Sequence, residues 1–296
     1  MRRRASARRL SIAFVVFMAV WCASLNAARG SDHADTPLLT SIGRHDARIS
    51  DLFAFTRGDR LVLVVCTNPA IPGSVVEYAW ADDLELRIAI DNDSEVSFAD
   101  ANANAIYGGT VVNPDGIDED VTFDVSVHHG TPSLKVKGIR GDAKQEVRFF
   151  AGLRDDPFIR GPLIGKNVAG IVIELPLAAV LEESSTLLVW ATTRVDDVAG
   201  TIVELGGRSL RSQLPENLAL NTLHPSLHQS DLGLVPDIIL YDTTLPAAFP
   251  NGRELTDDVI DLVGDPRILA TDAPFPTAND VPFLAAFPYL APPHLP

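Results

Sequence analysis

The chain has little cysteine and little positive charge. Its 296 residues include two cysteines, Cys22 and Cys66. Cys22 falls in an N-terminal leader, which leaves Cys66 by itself. That excludes an intramolecular disulfide and predicts a buried, inert thiol. Lys and Arg number 24 against 39 Asp and Glu. Six of the arginines lie in residues 1–30, which contain no acid, so the remaining chain sets 18 basic residues against 39 acidic ones, a formal charge of −21. A balance of that sign argues against nucleic acid or an anionic membrane surface as partner and leaves a neutral or cationic ligand. The sequence also lacks a Gly-x-Ser-x-Gly elbow, a His-Glu-x-x-His pair, a phosphate loop, a Cys-x-x-Cys pair and any internal repeat. Serine hydrolase, zincin, nucleotide and redox chemistry therefore have no motif to rest on.

What is present begins with the leader. Five arginines precede the apolar run Ile12–Leu25, and Ala28-Arg29-Gly30 follows. The run is too short to span a bilayer comfortably, and the small residues behind it suit cleavage. Residues 1–30 thus read as a signal peptide, with the mature chain starting near Ser31, exported to the periplasm or the medium. Arg8-Arg9 leaves both the general and the twin-arginine route open. After cleavage no stable membrane insertion is expected; the oligomeric state is left open.

Periodicity then sets the fold class. Leu84, Leu86, Ile88 and Ile90 alternate with Glu85, Arg87, Ala89 and Asp91, and Val121, Phe123, Val125 and Val127 alternate with Thr122, Asp124, Ser126 and His128. Period two over that length predicts half-exposed strands. Leu61–Cys66, Val168–Leu175 and Leu187–Val195 are near-continuous apolar runs, the pattern of strands covered on both faces. Short turns, such as the one around His128-His129-Gly130, join them into an antiparallel meander. Helices are predicted after Pro176 and over Thr256–Val263, the second with Thr256 as N-cap and Gly264 as terminator. The expected architecture is all-β: an antiparallel β-sandwich with long loops and two or three short helices, one domain over 31–271. Residues 272–296 hold seven prolines. Their Phe275, Phe283, Phe287, Tyr289 and Leu290 are too apolar for water, so this segment is expected to lie extended against the core.

Carboxylates cluster where the strand Leu84–Asp91 ends. Asp91, Asp93 and Glu95 stand at the first, third and fifth places of a calcium-type loop, although Val96 occupies the place where such loops turn on glycine. An Asx turn is the other reading of the same residues. Arg154-Asp155-Asp156-Pro157 sets two carboxylates side by side, which calls for a cation or an arginine nearby. His224 and His228 have the spacing of a helical zinc pair, but no glutamate or third ligand accompanies them, and they read as surface histidines.

Several stretches also match a known pattern in order: SDHADTP at the mature start, SDLFAF, IAIDND, FFAGLRDDPF, VWATTRV, FPNGRELTDDVIDL and NDVPFLAAFPYLAPP. Together they resemble a family of secreted bacterial proteins known as domain of unknown function 4331, over nearly the whole mature chain. Two departures stand out: Asp32, Ala34 and Asp35 replace Ser, Arg and Glu of the family's opening, and Ser94-Glu95-Val96 replaces its Gly-Asp-Gly. The resemblance implies no particular chemistry. It implies that His33, Asp51, Asp91, Asp93, Arg154, Asp155, Asp156, Asn251, Arg253, Asp257 and Asp258 matter. The leading expectation is a non-catalytic ligand- or ion-binding module, with Ca2+ as the ion. The alternative is a metal-dependent hydrolase built on His33, Asp51, Asp93 and Asp155.

Overall fold

The computed structural model describes residues 33, 35–157, 163–182, 184–198, 200–268, 271, 273–274 and 278–296. The leader, Ser31 and Phe275 lie outside them. Twelve strands are described: β1 (Ile49–Arg57), β2 (Arg60–Pro72), β3 (Glu85–Asp91), β4 (Val96–Ser97), β5 (Thr110–Val111), β6 (Val121–His128), β7 (Thr131–Lys137), β8 (Arg148–Asp155), β9 (Lys166–Pro176), β10 (Thr186–Arg194), β11 (Glu204–Gly206) and β12 (Ile239–Asp242). Strands β1-β2-β9-β8 form one sheet, in that order. A second sheet runs β11-β10-β3-β6-β7, with β12 also on β10, and β4 pairs with β5. Every pairing is antiparallel. The two large sheets pack face to face as a β-sandwich. Leu52, Leu61, Leu63, Val65, Ile171 and Ile173 come from one, and Leu86, Ile88, Ile90, Phe123, Val125 and Val189 from the other, in one core.

The doubly apolar run of β2 has two jobs. Leu61, Leu63 and Val65 face the sandwich core, while Val62, Val64 and Cys66 belong to a second cluster with Phe53, Phe55, Val168, Val172, Tyr289 and Leu290. The C-terminal stretch thus covers the outer face of the four-stranded sheet, with Phe283 and Phe287 packed against it. Gly170 in β9 makes room: a Cβ there would come 2.8 Å from Leu290 Cδ1. Tyr289 also donates its hydroxyl proton to the buried Glu174.

Local readings need several corrections. Strand β3 is half-exposed only at its start. Ala89 and Asp91 are buried, because Trp190, Leu188, Leu205, Ile238 and Leu240 build a further cluster on that face. After Pro176 the chain makes only a 3-10 turn, Leu177–Ala179, since β9 runs through Pro176 and Leu177 N–H is bound to Asp59 O. The late helix is Val259–Val263, capped by Asp258 and not by Thr256. Four short α-helices are described: α1 (Pro37–Ile42), α2 (Ala101–Tyr107), α3 (Leu227–Leu232) and α4 (Val259–Val263). Helices α1 and α2 have no apolar period to announce them; Thr36 and Asp100 cap their first turns, and Gly43 and Gly108 end them in the left-handed region.

Candidate metal site at the end of β8

Asp155 closes β8, and its register partner Asn167 stands at the start of β9. The C-terminal stretch returns to this point. Asp155 N–H donates to Ala291 O (3.3 Å). The Asn167 side chain brackets the backbone of His294, donating to its carbonyl (3.0 Å) and accepting from its N–H (2.8 Å). These contacts set His294 Nε2 2.8 Å from Asp155 Oδ1 and 3.3 Å from Asp280 Oδ2. Asp280 Oδ2 is held by Gly165 N–H (2.8 Å), and Asp155 Oδ2 accepts from Asn279 Nδ2 (2.5 Å).

Asp155 is 1% exposed, and its Oδ1 is paired with the imidazole Nε2 of His294. Burial pushes the Asp155 carboxyl up to about 7; the Asn279 hydrogen bond opposes this, and the charge of Asp280 adds to it. One donor atom from each of Asp155, Asp280 and His294 lies within 4.8 Å of the other two, so the three can hold a metal ion. The two shorter separations suit that role. With ligand bonds of ~2.0–2.1 Å, neighbouring donors sit ~2.9 Å apart in an octahedron and ~3.4 Å apart in a tetrahedron.

Of this set, sequence reasoning named Asp155 alone. Asp280 and His294 sit among prolines with no spacing that marks a site, and only the return of the chain unites them with β8. Arg154 and Asp156 point elsewhere. The Arg154 guanidinium lies over the Phe150 ring at 4.1 Å, and Asp156 Oδ2 accepts from Ala70 N–H (3.4 Å).

A second acidic group forms at the exit of β3, where Asp91, Asp93 and Asp120 could also hold an ion. Glu95 is not in the group; it is exposed and lines a shallow cleft with Asp93 and Glu182. Asp91 is fully buried and already engaged. Its Oδ1 accepts from Asp93 N–H (3.3 Å) and Ser94 N–H (2.9 Å), its Oδ2 from Ser94 Oγ (2.7 Å) and Asp118 N–H (3.2 Å). Asp120 Oδ2 accepts from Asn92 N–H (3.0 Å). The repulsion of Asp120, then burial, then Asp91 raise the Asp93 carboxyl.

The other residues singled out are dispersed. Asp51 accepts from Arg253 Nη2 (2.9 Å) in a buried ion pair, and the guanidinium stacks on Phe53 at 4.1 Å. β1 and β8 are opposite edges of the four-stranded sheet. Three interstrand spacings of ~4.8 Å therefore separate Asp51 from Asp155. His33 is buried, its Nδ1 3.3 Å from Ser50 O, and Asp93 follows the end of β3, the middle strand of the other sheet. His33, Asp51, Asp93 and Asp155 are not brought together. Asn251 pairs with β12 like an extra strand, accepting from Asp242 N–H (2.8 Å) and donating to Asp242 O (3.2 Å). Asp257 Oδ2 accepts from Phe249 N–H and Glu254 N–H, and Asp258 caps α4.

The surface reading of His228 is overturned. It is fully buried; its Nδ1 accepts from Asp237 N–H (3.0 Å) while Nε2 faces the carbonyls of Leu220 and Leu223. Both ring nitrogens are used, which fixes a neutral tautomer and removes it as a zinc ligand. No family model, curated protein or solved structure matches the chain.

Proposed function

We propose that the protein is an exported, non-catalytic β-sandwich module that binds a divalent transition-metal ion through Asp155, Asp280 and His294. One observation carries the reading. A buried carboxylate oxygen and an imidazole nitrogen lie 2.8 Å apart, with a second carboxylate 3.3 Å from the nitrogen and all three donors within 4.8 Å of one another. Two carboxylates with one imidazole suit Zn2+ or Mn2+ better than Ca2+, which favours oxygen alone. An all-oxygen calcium site would have to draw on Asp91, Asp93 and Asp120, and there Asp91 already accepts three backbone N–H groups and Ser94 Oγ, and Asp120 accepts Asn92 N–H. A hydrolase on His33, Asp51, Asp93 and Asp155 finds no support in their dispersal. The segments around Asp155 and Asp280 are among those that resemble domain of unknown function 4331, and membership of that family is part of the proposal.

Bound metal would clamp the C-terminal stretch onto β8. The test is the melting temperature of chelator-treated protein titrated with ZnCl2, MnCl2 and CaCl2. An ion that binds only the folded state stabilises by about 2.7 kcal/mol at a hundredfold excess over its dissociation constant. Zn2+ or Mn2+ should raise Tm more than Ca2+ does, and Asp280→Asn and His294→Ala should each abolish the rise. A rise of equal size in both variants would overturn the assignment.

A further inference from the structure

A cavity of about 430 Å³ whose lining includes none of Asp155, Asp280 and His294 lies between α2, the segment 208–217 and α4. Its walls include Leu210, Leu214, Phe249, Val263 and Ile268. In an acidic protein, three arginines line this cavity, and two of them, Arg208 and Arg211, are not paired with its carboxylates Glu216 and Asp265. Arg208 is only 7% exposed, and Arg211 is half-buried. Both guanidinium groups lie over the ring of Tyr107, at 4.6 and 5.4 Å from its centroid.

Their charge is poorly met inside the protein. Arg208 Nη2 donates to Tyr107 O (3.2 Å) and Arg211 Nη2 to Val235 O (2.6 Å), both neutral carbonyls. Arg208 Nη1 and Arg211 Nε are buried without a hydrogen-bond partner. Among the described residues no carboxylate lies within 4.0 Å of either guanidinium. Asp237 supplies charge that partly balances Arg208, and its Oδ1 is taken by the Arg208 backbone N–H (2.8 Å). On the rim, Arg267 occupies Asp265 (2.6 Å) and reaches Glu216 (3.4 Å). The inner end of the cavity therefore sets two guanidinium groups against one carboxylate. Burial, and then the neighbouring Arg211, lower the Arg208 guanidinium to about 10, a sign of cationic charge short of anionic company. An unpaired buried charge is costly, and paired arginines stacked on an aromatic face suit a planar carboxylate.

We propose that this cavity binds a small organic carboxylate, its head group on Arg208 and Arg211 and its apolar body against Leu214, Phe249, Val263 and Ile268. The site is independent of the metal site, and the ligand's charge is opposite to the one that the overall composition favours. Carboxylates on the outer surface act over water and are screened, whereas the cavity's own groups act at contact distance.

Octanoate is the probe, followed by titration calorimetry and Tm at neutral pH, with octanamide as its uncharged counterpart and inorganic phosphate as the anion without an apolar body. Octanoate should bind and raise Tm, and octanamide should bind at least about tenfold more weakly. Arg211→Gln, at the half-buried arginine, should weaken octanoate by a similar factor. That variant keeps the test decisive should Arg208→Gln fail to fold. The proposal is overturned if octanoate does not bind, if octanamide matches it, if phosphate binds more tightly, or if Arg211→Gln leaves the affinity intact.

Discussion

Asp91 leaves β3 with both carboxylate oxygens engaged, Oδ1 by two backbone N–H groups of its own loop and Oδ2 by Ser94 Oγ and Asp118 N–H. Asp93, two residues on, is exposed and set among like charges. The two should respond to substitution in opposite ways. Removing the Asp91 side chain strands several buried donors at once, so Asp91→Ala should cost about 3 kcal/mol or more. Asp93→Asn removes repulsion from Asp120 and breaks no side-chain hydrogen bond among the described residues, so it should shift stability by no more than about 0.5 kcal/mol. Chemical denaturation of both variants checks this. A large loss on Asp93→Asn in chelator would mean that Asp93 has a structural role its surroundings do not disclose.

At the scale of elements, the C-terminal stretch behaves as a strap across the outer face of the four-stranded sheet. Leu290 is fully buried over Gly170, Tyr289 reaches Glu174, and the stretch ends at the Asn167 bracket around His294. Leu290→Ala empties a packed position and should cost about 2–5 kcal/mol. Gly170→Val should cost as much by pushing Leu290 out of its seat. Ending the chain before residue 278 should lower Tm further than either, because Phe53, Phe55, Val62 and Val64 would face water. A truncated protein that melts with the full-length one would show the strap to be dispensable.

For the molecule as a whole, the raised carboxyls decide how stability follows pH. Burial holds Glu204 well above its ordinary value and Asp155 at about 7. Each is neutral in the fold where the unfolded chain would ionise it. Their stabilisation is complete below the unfolded value and is lost as pH rises through the folded one. His224 and His228 act in the other direction: burial lowers both, so their contribution is lost as pH falls below the ordinary histidine value of about 6.5. Above the histidine range the raised carboxyls set the slope, and in chelator Tm should decline as pH rises through the Asp155 value of about 7. Asp155→Asn should flatten the decline. A Tm that climbs as pH rises through that value would contradict the buried state of these acids.

Local rules reached a long way into this chain. Alternation in Leu84–Ile90 and Val121–Val127, and the unbroken run Leu61–Cys66, announce a half-exposed or doubly covered strand because side-chain direction in a strand depends only on residue parity. The apolar residues of the C-terminal stretch likewise demand cover, whatever the fold. Parity says nothing of what covers the second face, so the burial of Ala89 and Asp91 beneath Trp190 was out of reach. Helices α1 and α2 escaped the apolar period because they bury little; only their caps betray them. The site was legible in part. Asp155 stands in a charged, strand-terminal stretch that invites attention, whereas Asp280 and His294 look like loop filler between prolines. Arg208 and Arg211 resemble any surface arginines until the fold lays both on Tyr107. Residue type and local period are encoded within a few positions, and they determined the strands, the acidic surface and the candidate leader. Convergence of donors from distant segments depends on how those segments close over one another, and that was decided by tertiary packing alone.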